Sequence, residues 1–431
     1  MTQRLNTMTS TQTCSIYPVC LATLRRIPAM LPALLITVLS MAWLLMILLM
    51  PTGTAVASPL SQPQQSIVVG YLELQLPSPP LLSNVLPEPE DNGLQGAILG
   101  ISDNNAGGRF LGLAYTLEQA RSADEAELGA ALNRWQQQGI QLVLVNAPAA
   151  TLNAFASQHP ELLFFNVGSY DDELRIRHCL PNVLHTLPSR AMLTDALAQW
   201  LIKKKLKKWL LITGTRSQDK DYANAVRRSA KRFGGKIVAD KDWTFDSDLR
   251  RSAQTEVPLF TQTKEYDAVV VADELGDFGE FLLYNTWYPR PVVGTQGLKP
   301  VGWHRVIEQW GAAQLQSRFD RQAKRWMTDK DYAAWAAMRS IGETLSHQVP
   351  YSATSIRSHL LGSQFELAGF KGRKLTYRNW NGQLRQPIAL VHPRALVSQS
   401  PQEGYLHPHT ELDTLGFDQP ESQCRLADQI D

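Results

Sequence analysis

Two groups of carboxylates follow apolar stretches that are typical of buried β-strands. The first group comes after residues 266–272, which are rich in β-branched side chains, and the second comes after residues 162–166. The carboxyl ends of parallel strands face the ligand crevice of an α/β sheet, so both groups could contact a small molecule or a cation. Acidic residues at these positions also cap the next helix, and both interpretations stay open. The first group is Asp273, Glu274 and Asp277, and the second is Asp171, Asp172 and Glu173.

A metal hypothesis follows if both groups face one cleft. Calcium takes about six to eight oxygen ligands, and a trivalent lanthanide, which is equally hard, would prefer such a site even more. The candidate metal ligands are Asp171, Asp172, Glu173 and Asp277, with calcium or a lanthanide as the bound ligand and no other cofactor. The alternative is that these side chains are exposed loop and cap positions.

Two further constellations could bind a ligand. His407, His409, Glu411 and Asp413 alternate along the chain, which would place them on one face of a strand and suit a transition metal; packing of a polar tail is the alternative. Aromatic residues near position 300 could line a cleft for a flat organic molecule or pack in the core. These are Tyr284, Trp287, Tyr288, Trp303 and Trp310.

The elements that must position these side chains form two α/β series. Between residues 67 and 166 the pattern predicts strands at 67–72, 111–117, 141–145 and 162–166, with helices between them, one of which covers 120–138. Alternation with short loops indicates a parallel sheet covered by helices on both faces. The fold class predicted is therefore α/β.

A second series of the same kind begins at Ser189, which can cap a helix that continues to Lys205. Strands at 209–213, 236–239 and 266–272 follow, so two tandem units predict two lobes with a cleft between them. A strand at 289–295 would lead back to the first lobe. Three helical patterns come next, at 309–326, 329–347 and 353–361. Residues 374–380 and 386–391, around Asn381-Gly382, predict a β-hairpin.

The N-terminal residues have the features of a secretory signal peptide. Arg25 and Arg26 precede an uncharged apolar run at 27–50, and the triplet 55–57 reads Ala-Val-Ala, so cleavage before Ser58 is expected; an uncleaved membrane anchor is the alternative. Three of the 42 Lys and Arg residues and none of the 40 Asp and Glu residues precede Ser58, so the net charge changes from +2 to −1. A nearly neutral chain argues against a nucleic-acid binder.

Two cysteines, Cys179 and Cys424, remain after such processing. In an oxidising compartment they are expected to form a disulfide, with two buried free thiols as the alternative. The sequence contains no G-x-S-x-G, H-E-x-x-H or P-loop motif, so we expect no enzyme activity.

A family resemblance adds to these patterns. Residues 92–112, which include Ser102-Asp103-Asn104-Asn105, resemble the first helix and turn of type I periplasmic solute-binding proteins of the branched-chain amino acid group. Five further stretches resemble a subgroup of ABC-transporter substrate-binding proteins found alongside pyrroloquinoline quinone (PQQ)-dependent alcohol dehydrogenase systems. They are residues 181–192, 227–234, 308–312, 365–372 and 412–416.

The resemblance implies two Rossmann-like lobes that are joined by three crossovers and close over a ligand. It implies a first lobe of 66–187 plus about 290–350, a second lobe of 188–289 plus about 351–392, and a tail at 393–431. It also implies a periplasmic monomer that delivers a small ligand to an inner-membrane ABC permease. A ligand sensor or scaffold without transport is the alternative.

Carried over by position, the implied ligand contacts come from two first-lobe loops, at 146–151 and 166–173, and from two places in the second lobe, around 221–222 and 273–274. The first-lobe loop at 146–151 has alanines where a hydroxyl would receive an amino acid carboxylate, which weakens an amino acid assignment. We therefore rank a small organic molecule first, a lanthanide or calcium second, and a branched-chain amino acid third. The candidate ligand-binding residues are Ser169, Tyr170, Tyr222, Asp273 and Glu274.

Overall fold

The computed structural model describes residues 65–77, 87–245 and 253–426. The predicted signal peptide at 1–57 lies outside these residues. Within them, no helix is both long and apolar enough to cross a membrane.

A five-stranded parallel sheet forms the first lobe, in the order β2-β1-β3-β4-β5. Leu142 and Leu144 of β3 lie in one hydrophobic cluster while Val143 and Val145 lie in another, so helices cover both faces. The strands are β1 Gln65–Leu74, β2 Leu113–Ser122, β3 Leu142–Asn146, β4 Leu163–Asn166 and β5 Val183–His185.

Helices α1 Leu94–Gly108, α2 Glu125–Gln137 and α3 Ala149–Gln158 alternate with these strands. The prediction that α2 begins at residue 120 is wrong, because residues 120–122 extend β2 and pair with β1. Asp124 then caps the helix by accepting a hydrogen bond from the backbone nitrogen of Ala126.

A four-stranded parallel sheet forms the second lobe, in the order β7-β6-β8-β9. Its strands are β6 Lys208–Thr213, β7 Lys236–Asp242, β8 Ala268–Ala272 and β9 Val292–Gly294. Its helices are α4 Arg190–Lys203, α5 Ser217–Phe233 and α6 Ala253–Thr261. The predicted cap of α4 is confirmed, since Ser189 Oγ accepts a hydrogen bond from the Met192 nitrogen.

Helices α7 Ala312–Ala323, α8 Asp329–Ser346 and α9 Ala353–Leu361 follow β9 and the short strand β10 Lys299–Val301. All three contribute to the first-lobe core, through Leu315, Trp335 and Ile356 among others. The sequence-based division assigned residues from about 351 to the second lobe. In the structure Ile356 and Leu360 of α9 pack in the first-lobe cluster instead, because α9 is amphipathic and buries this face there.

The predicted hairpin is correct at its turn and wrong in its second strand. Gly382 has a positive φ of 68°, and β12 Lys374–Tyr377 pairs through this turn with β13 Leu384–Arg385. The small sheet also contains β11 Leu367–Ala368. The next strand, β14 Ile388–His392, pairs instead with β10 and with β15 Ala395–Ser400, a strand in the segment that the sequence-based division assigned to the tail.

The part of the C-terminal tail that follows β15, residues 401–426, contacts both lobes. The Gly416 nitrogen donates to Asp195 on α4 at 2.9 Å, and the Gln423 nitrogen donates to the Ile176 carbonyl of the first lobe at 2.8 Å. Cys424 forms a disulfide with Cys179. These are the two cysteines that follow the predicted cleavage site. The tail therefore connects the lobes on a route separate from the crossovers.

Candidate functional site

The first-lobe loop at 169–173 lies against the beginning of α4. The Tyr170 carbonyl accepts a hydrogen bond from the Arg190 nitrogen, and Asp172 Oδ1 accepts one from the Ala191 nitrogen, both at 3.0 Å. The Tyr170 ring packs against the cores of both lobes. Burial raises the pKa of Asp172 although the backbone nitrogen of Ala191 and two arginines favour its charged form. This loop is therefore the point where the two lobes meet.

Arg190 and Glu274 form the charged centre of this interface. Nε and Nη2 of Arg190 each lie 2.7 Å from a different carboxylate oxygen of Glu274, which is a bidentate pair. The side chains are 8% and 19% exposed. Burial opposes the charged guanidinium, but the hydrogen bonds and charge of Glu274 raise the pKa of Arg190 above its ordinary value. Glu274 is thus already neutralised by a cation of the protein.

Two buried hydroxyls of the second lobe have no hydrogen-bond partner among the described residues. Tyr222 Oη on α5 is one, and the ring is only 3% exposed. Burial, followed by the charge of Glu274, raises the pKa of Tyr222. Thr213 Oγ1, at the end of β6, is the other. Strand alternation places Thr213 on the sheet face of Trp209 and Leu211, which pack in the same cluster as Tyr222.

Asp273 organises the loop after β8. Its carboxylate accepts hydrogen bonds from the backbone nitrogens of Asp277, Phe278 and Gly279 at 2.6 to 2.9 Å. The capping alternative therefore describes Asp273, whose oxygens are already occupied by the backbone. Asp277 in turn pairs with Arg216.

Asp219 supports the same loop from α5 and was missed in the sequence. Its two oxygens accept hydrogen bonds from the nitrogens of Glu274 and Arg216. Burial and the neighbouring Asp273 raise its pKa to about 6, while the backbone hydrogen bond from Glu274 acts in the opposite direction. It therefore holds the backbone of Glu274 in place.

The first-lobe carboxylates have separate roles in the structure. Asp171 caps the nitrogen of Glu173 at 2.7 Å, and Glu173 lies at the surface near Arg177. Ser169 is buried, and its Oγ accepts a hydrogen bond from the Asp171 nitrogen at 3.3 Å. Arg175 stabilises the loop by donating to the carbonyls of Ser169 and Leu187.

The structure does not gather the predicted metal ligands into one cluster. Among the described residues, the carboxylates that approach one another closely enough to share an ion are Asp219, Asp273 and Asp277, whose ligand atoms lie within 4.8 Å. Asp171, Asp172 and Glu173 are not in that group. Its own members are bound by backbone nitrogens or by Arg216.

The structure also does not gather the other two candidate groups, the histidines and carboxylates of the tail and the aromatic residues near position 300, into one ligand site. Asp413 is buried between Arg378 and Arg385, Glu411 pairs with Arg373, and His407 lies 3.3 Å from Asp418, so these side chains pack the tail. Among the aromatics, Trp303 is buried and stacks on Tyr332 with 4.7 Å between ring centroids. Tyr284, Trp287 and Trp310 are 95%, 45% and 44% exposed.

Arg190 is the principal residue that sequence reasoning missed. A signal was present, because arginine in the first turn of a helix opposes the helix dipole and suggests a carboxylate partner nearby. Its partner lies 84 residues away in the chain, so the spacing could not identify Glu274.

Comparison with known proteins agrees with this architecture. Residues 88–282 match the family model described as "Periplasmic binding protein". No curated protein matches the sequence. Among solved structures, a branched chain amino acid ABC transporter periplasmic ligand-binding protein from Burkholderia xenovorans is 16% identical, with a TM-score of 0.63 over 84% of this chain and 100% of that one.

Two more solved structures have the same fold. An ABC transporter substrate-binding protein from Sphaerobacter thermophilus is 15% identical, with a TM-score of 0.63 over 82% of this chain and 100% of that one. The leucine-, isoleucine-, valine-, threonine- and alanine-binding protein from Brucella ovis, in its closed conformation, is 15% identical. Its TM-score is 0.60 over 82% of this chain and 95% of that one. The predicted fold class is confirmed: this chain has the two-lobed α/β fold of the type I periplasmic binding proteins.

Proposed function

We propose that this protein is the extracytoplasmic substrate-binding component of an ABC importer and that it captures a small ligand by closing its lobes. The observation that carries the proposal is the buried, unpartnered hydroxyl of Tyr222 beside the Arg190–Glu274 pair. A buried polar group without a partner costs free energy, and a ligand that hydrogen-bonds to it would recover that cost. The family-model match and the fold support the same class of function.

The chemistry of the site favours a neutral ligand that bears hydroxyl or carbonyl groups. An α-amino acid needs an acidic residue to receive its ammonium group, and Glu274 is already engaged by Arg190 at both oxygens. Tyr222 and Thr213 offer neutral hydroxyls instead. Each hydroxyl can donate one hydrogen bond and accept others, which suits an alcohol or a carbonyl compound.

A role alongside PQQ-dependent alcohol oxidation is the finer form of this proposal. The five sequence stretches that resemble that subgroup support it, and a neutral alcohol-derived ligand fits the chemistry of the hydroxyls. In this role the protein works in the periplasm with an inner-membrane permease.

Deletion of the gene and binding by the purified chain test the proposal together. Residues 58–431 are purified from the periplasm under native conditions, and any bound molecule is released and identified by mass spectrometry. We expect a neutral oxygenated compound, and we expect deletion to abolish its uptake. Unchanged uptake with altered gene expression would contradict transport and support the sensor alternative.

Calcium and lanthanide binding is tested in the same preparation. Lanthanum chloride and calcium chloride are titrated into the purified chain and into Asp273→Ala with Glu274→Ala. Since backbone nitrogens and arginines already occupy these carboxylates, we expect no saturable binding of either ion. Stoichiometric binding that the double variant loses would establish metal capture in place of an organic ligand.

A further inference from the structure

A cavity lies away from the Arg190–Glu274 pair, at the C-terminal end of α4. It has a volume of about 820 Å³, which is within the range of small-molecule sites. Edge strand β9 contributes Val292, edge strand β15 contributes Val397, and the last turns of α4 contribute Trp200. Tyr284 and Trp287 complete the aromatic wall. None of the residues that line it contacts the Arg190–Glu274 pair.

The aromatic wall is held in place by the fold. The Trp287 nitrogen donates to Thr261 Oγ1, and Thr286 Oγ1 donates to the Tyr288 carbonyl, both at 2.8 Å. Behind this segment Tyr288 packs edge-to-face on the buried Tyr266, with ring centroids 5.2 Å apart. The cavity is therefore formed before any ligand arrives, which lowers the entropic cost of binding.

Tyr284 at the rim is both exposed and strained. Its φ is +67°, a left-handed conformation that bulky residues rarely adopt, and its side chain is 95% exposed. Strain of this kind is retained mostly where it serves binding or catalysis. The neighbouring indole of Trp287 is 45% exposed, so two aromatic faces are open to a ligand.

The described residues that line the cavity include a cation and no carboxylate. Arg290 carries the positive charge. Arg290 donates from Nε to the Tyr266 carbonyl at 3.1 Å and from Nη2 to Glu265 at 3.4 Å, on the exposed side. A guanidinium has five N–H donors, so it can contact an anion as well.

We propose that this cavity binds a planar aromatic anion. The ring lies against Trp287 and the aliphatic wall formed by Val292 and Val397, and the anionic group faces Arg290 and His392. Aromatic stacking and apolar burial supply the affinity, while the guanidinium of Arg290 selects the sign of the ligand. The cavity is separate from the interlobe cleft. The proposal that it binds an aromatic anion therefore does not depend on the identity of the transport ligand.

The probe is 8-anilinonaphthalene-1-sulfonate, titrated into purified residues 58–431 and followed by fluorescence and by calorimetry. We expect saturable binding of one probe per chain. Trp287→Ala removes the stacking face, and Val397→Asp introduces a carboxylate into the wall, so each should weaken binding at least tenfold. Arg290→Gln should reduce the preference for the sulfonate over an uncharged anilinonaphthalene of similar size.

Phe110→Ala is the matched control, because Phe110 is 76% exposed in the first lobe and does not line the cavity. It should leave probe binding unchanged, and near-ultraviolet circular dichroism confirms that each variant is folded. Binding that is non-saturable, that survives both Trp287→Ala and Val397→Asp, or that is equally strong for an aromatic ammonium probe would overturn the proposal. Self-association through this face without probe binding would also overturn it.

Discussion

At the scale of single residues, the site depends on side chains whose partners are distant in the sequence. The sequence suggested Tyr222 and Glu274 as separate ligand contacts in the second lobe, and in the structure the charge of Glu274 contributes to the raised pKa of Tyr222. It could not identify Arg190 as the partner of Glu274, because a bidentate pair depends on the relative position of α4 and β8. This pairing is the physical reason to expect a neutral ligand.

Tyr222→Phe is expected to leave the stability of the ligand-free protein unchanged or to raise it by up to about 1 kcal/mol, because it removes a buried hydroxyl without a partner. Urea denaturation measures the free energy of unfolding. Tyr377→Phe is the control: the Tyr377 hydroxyl donates to Ser340 Oγ at 3.0 Å, so its loss should cost about 1 kcal/mol. If Tyr222→Phe lowered the free energy of unfolding more than Tyr377→Phe does, the Tyr222 hydroxyl would have to make a hydrogen bond in the folded protein.

Arg190→Met should destabilise the protein by about 2–3 kcal/mol, because it leaves the partly buried carboxylate of Glu274 without its cation. Adding Glu274→Gln should recover most of that loss, since no unpaired charge then remains. A double-mutant cycle with urea denaturation measures the coupling. Additive effects of the two substitutions would contradict a functional ion pair.

Asp219 gives a pH-dependent prediction. Its pKa of about 6 in the folded protein exceeds the ordinary value of 3.8, so the folded protein binds this proton more tightly than the unfolded chain does. Protonation therefore stabilises the fold, fully below about pH 4, and this stabilisation disappears as the pH rises through about 6.

Between pH 7 and pH 4.5, the unfolding free energy of the natural protein should rise by roughly 1–2 kcal/mol relative to Asp219→Asn. Comparison of the two proteins removes the contributions of all other titrating groups. Parallel stability profiles over this range would show that Asp219 does not hold a proton in the fold.

At the scale of elements, the buried parallel strands were predicted well because continuous apolar runs have few alternative structures. All residues of β3, β4 and β8 are buried, and each was located to within two residues at either end. The second strand of the hairpin was predicted wrongly, because an apolar strand such as β14 can pair with several neighbouring strands. Tertiary contacts determine that it pairs with β10 and β15. β15 was missed because its second half, Ser398-Gln399-Ser400, is polar and its apolar residues are exposed or only partly buried.

The C-terminal tail is expected to limit the separation of the lobes. Asp195 binds it to α4 through Gly416, and the Cys179–Cys424 disulfide binds it to the first lobe. Replacing both cysteines by serine should lower the free energy of unfolding by about 2–4 kcal/mol, since the disulfide closes a long loop. It should also increase the radius of gyration of the ligand-free protein, measured by small-angle X-ray scattering.

Asp195→Asn provides the comparison for that experiment. It weakens the second-lobe end of the tail, where Arg228 and Arg232 also contact Asp195, and leaves the disulfide intact. A tail that restrains the lobes predicts an increase in the radius of gyration in both variants. Destabilisation without any change in the radius would limit the disulfide to a role in stability.

At the scale of the whole molecule, composition and periodicity were sufficient for the two α/β lobes, and they could not determine what the lobes hold. The carboxylates that suggested a cation site are divided among backbone caps and arginine partners. Those partners come from both lobes, and only the assembled fold brings them together. We therefore propose that the interlobe site holds a neutral oxygenated molecule.

The thermal unfolding midpoint of residues 58–431 shows which ligand class binds the interlobe site. It is measured with a series of alcohols, diols and hydroxyketones, with leucine, and with calcium and lanthanum chlorides, in the natural protein and in Tyr222→Phe. We predict that a member of the neutral series raises the midpoint in the natural protein, and that Tyr222→Phe reduces its affinity about tenfold. A rise with leucine or with a metal ion, and none with the neutral compounds, would contradict the account.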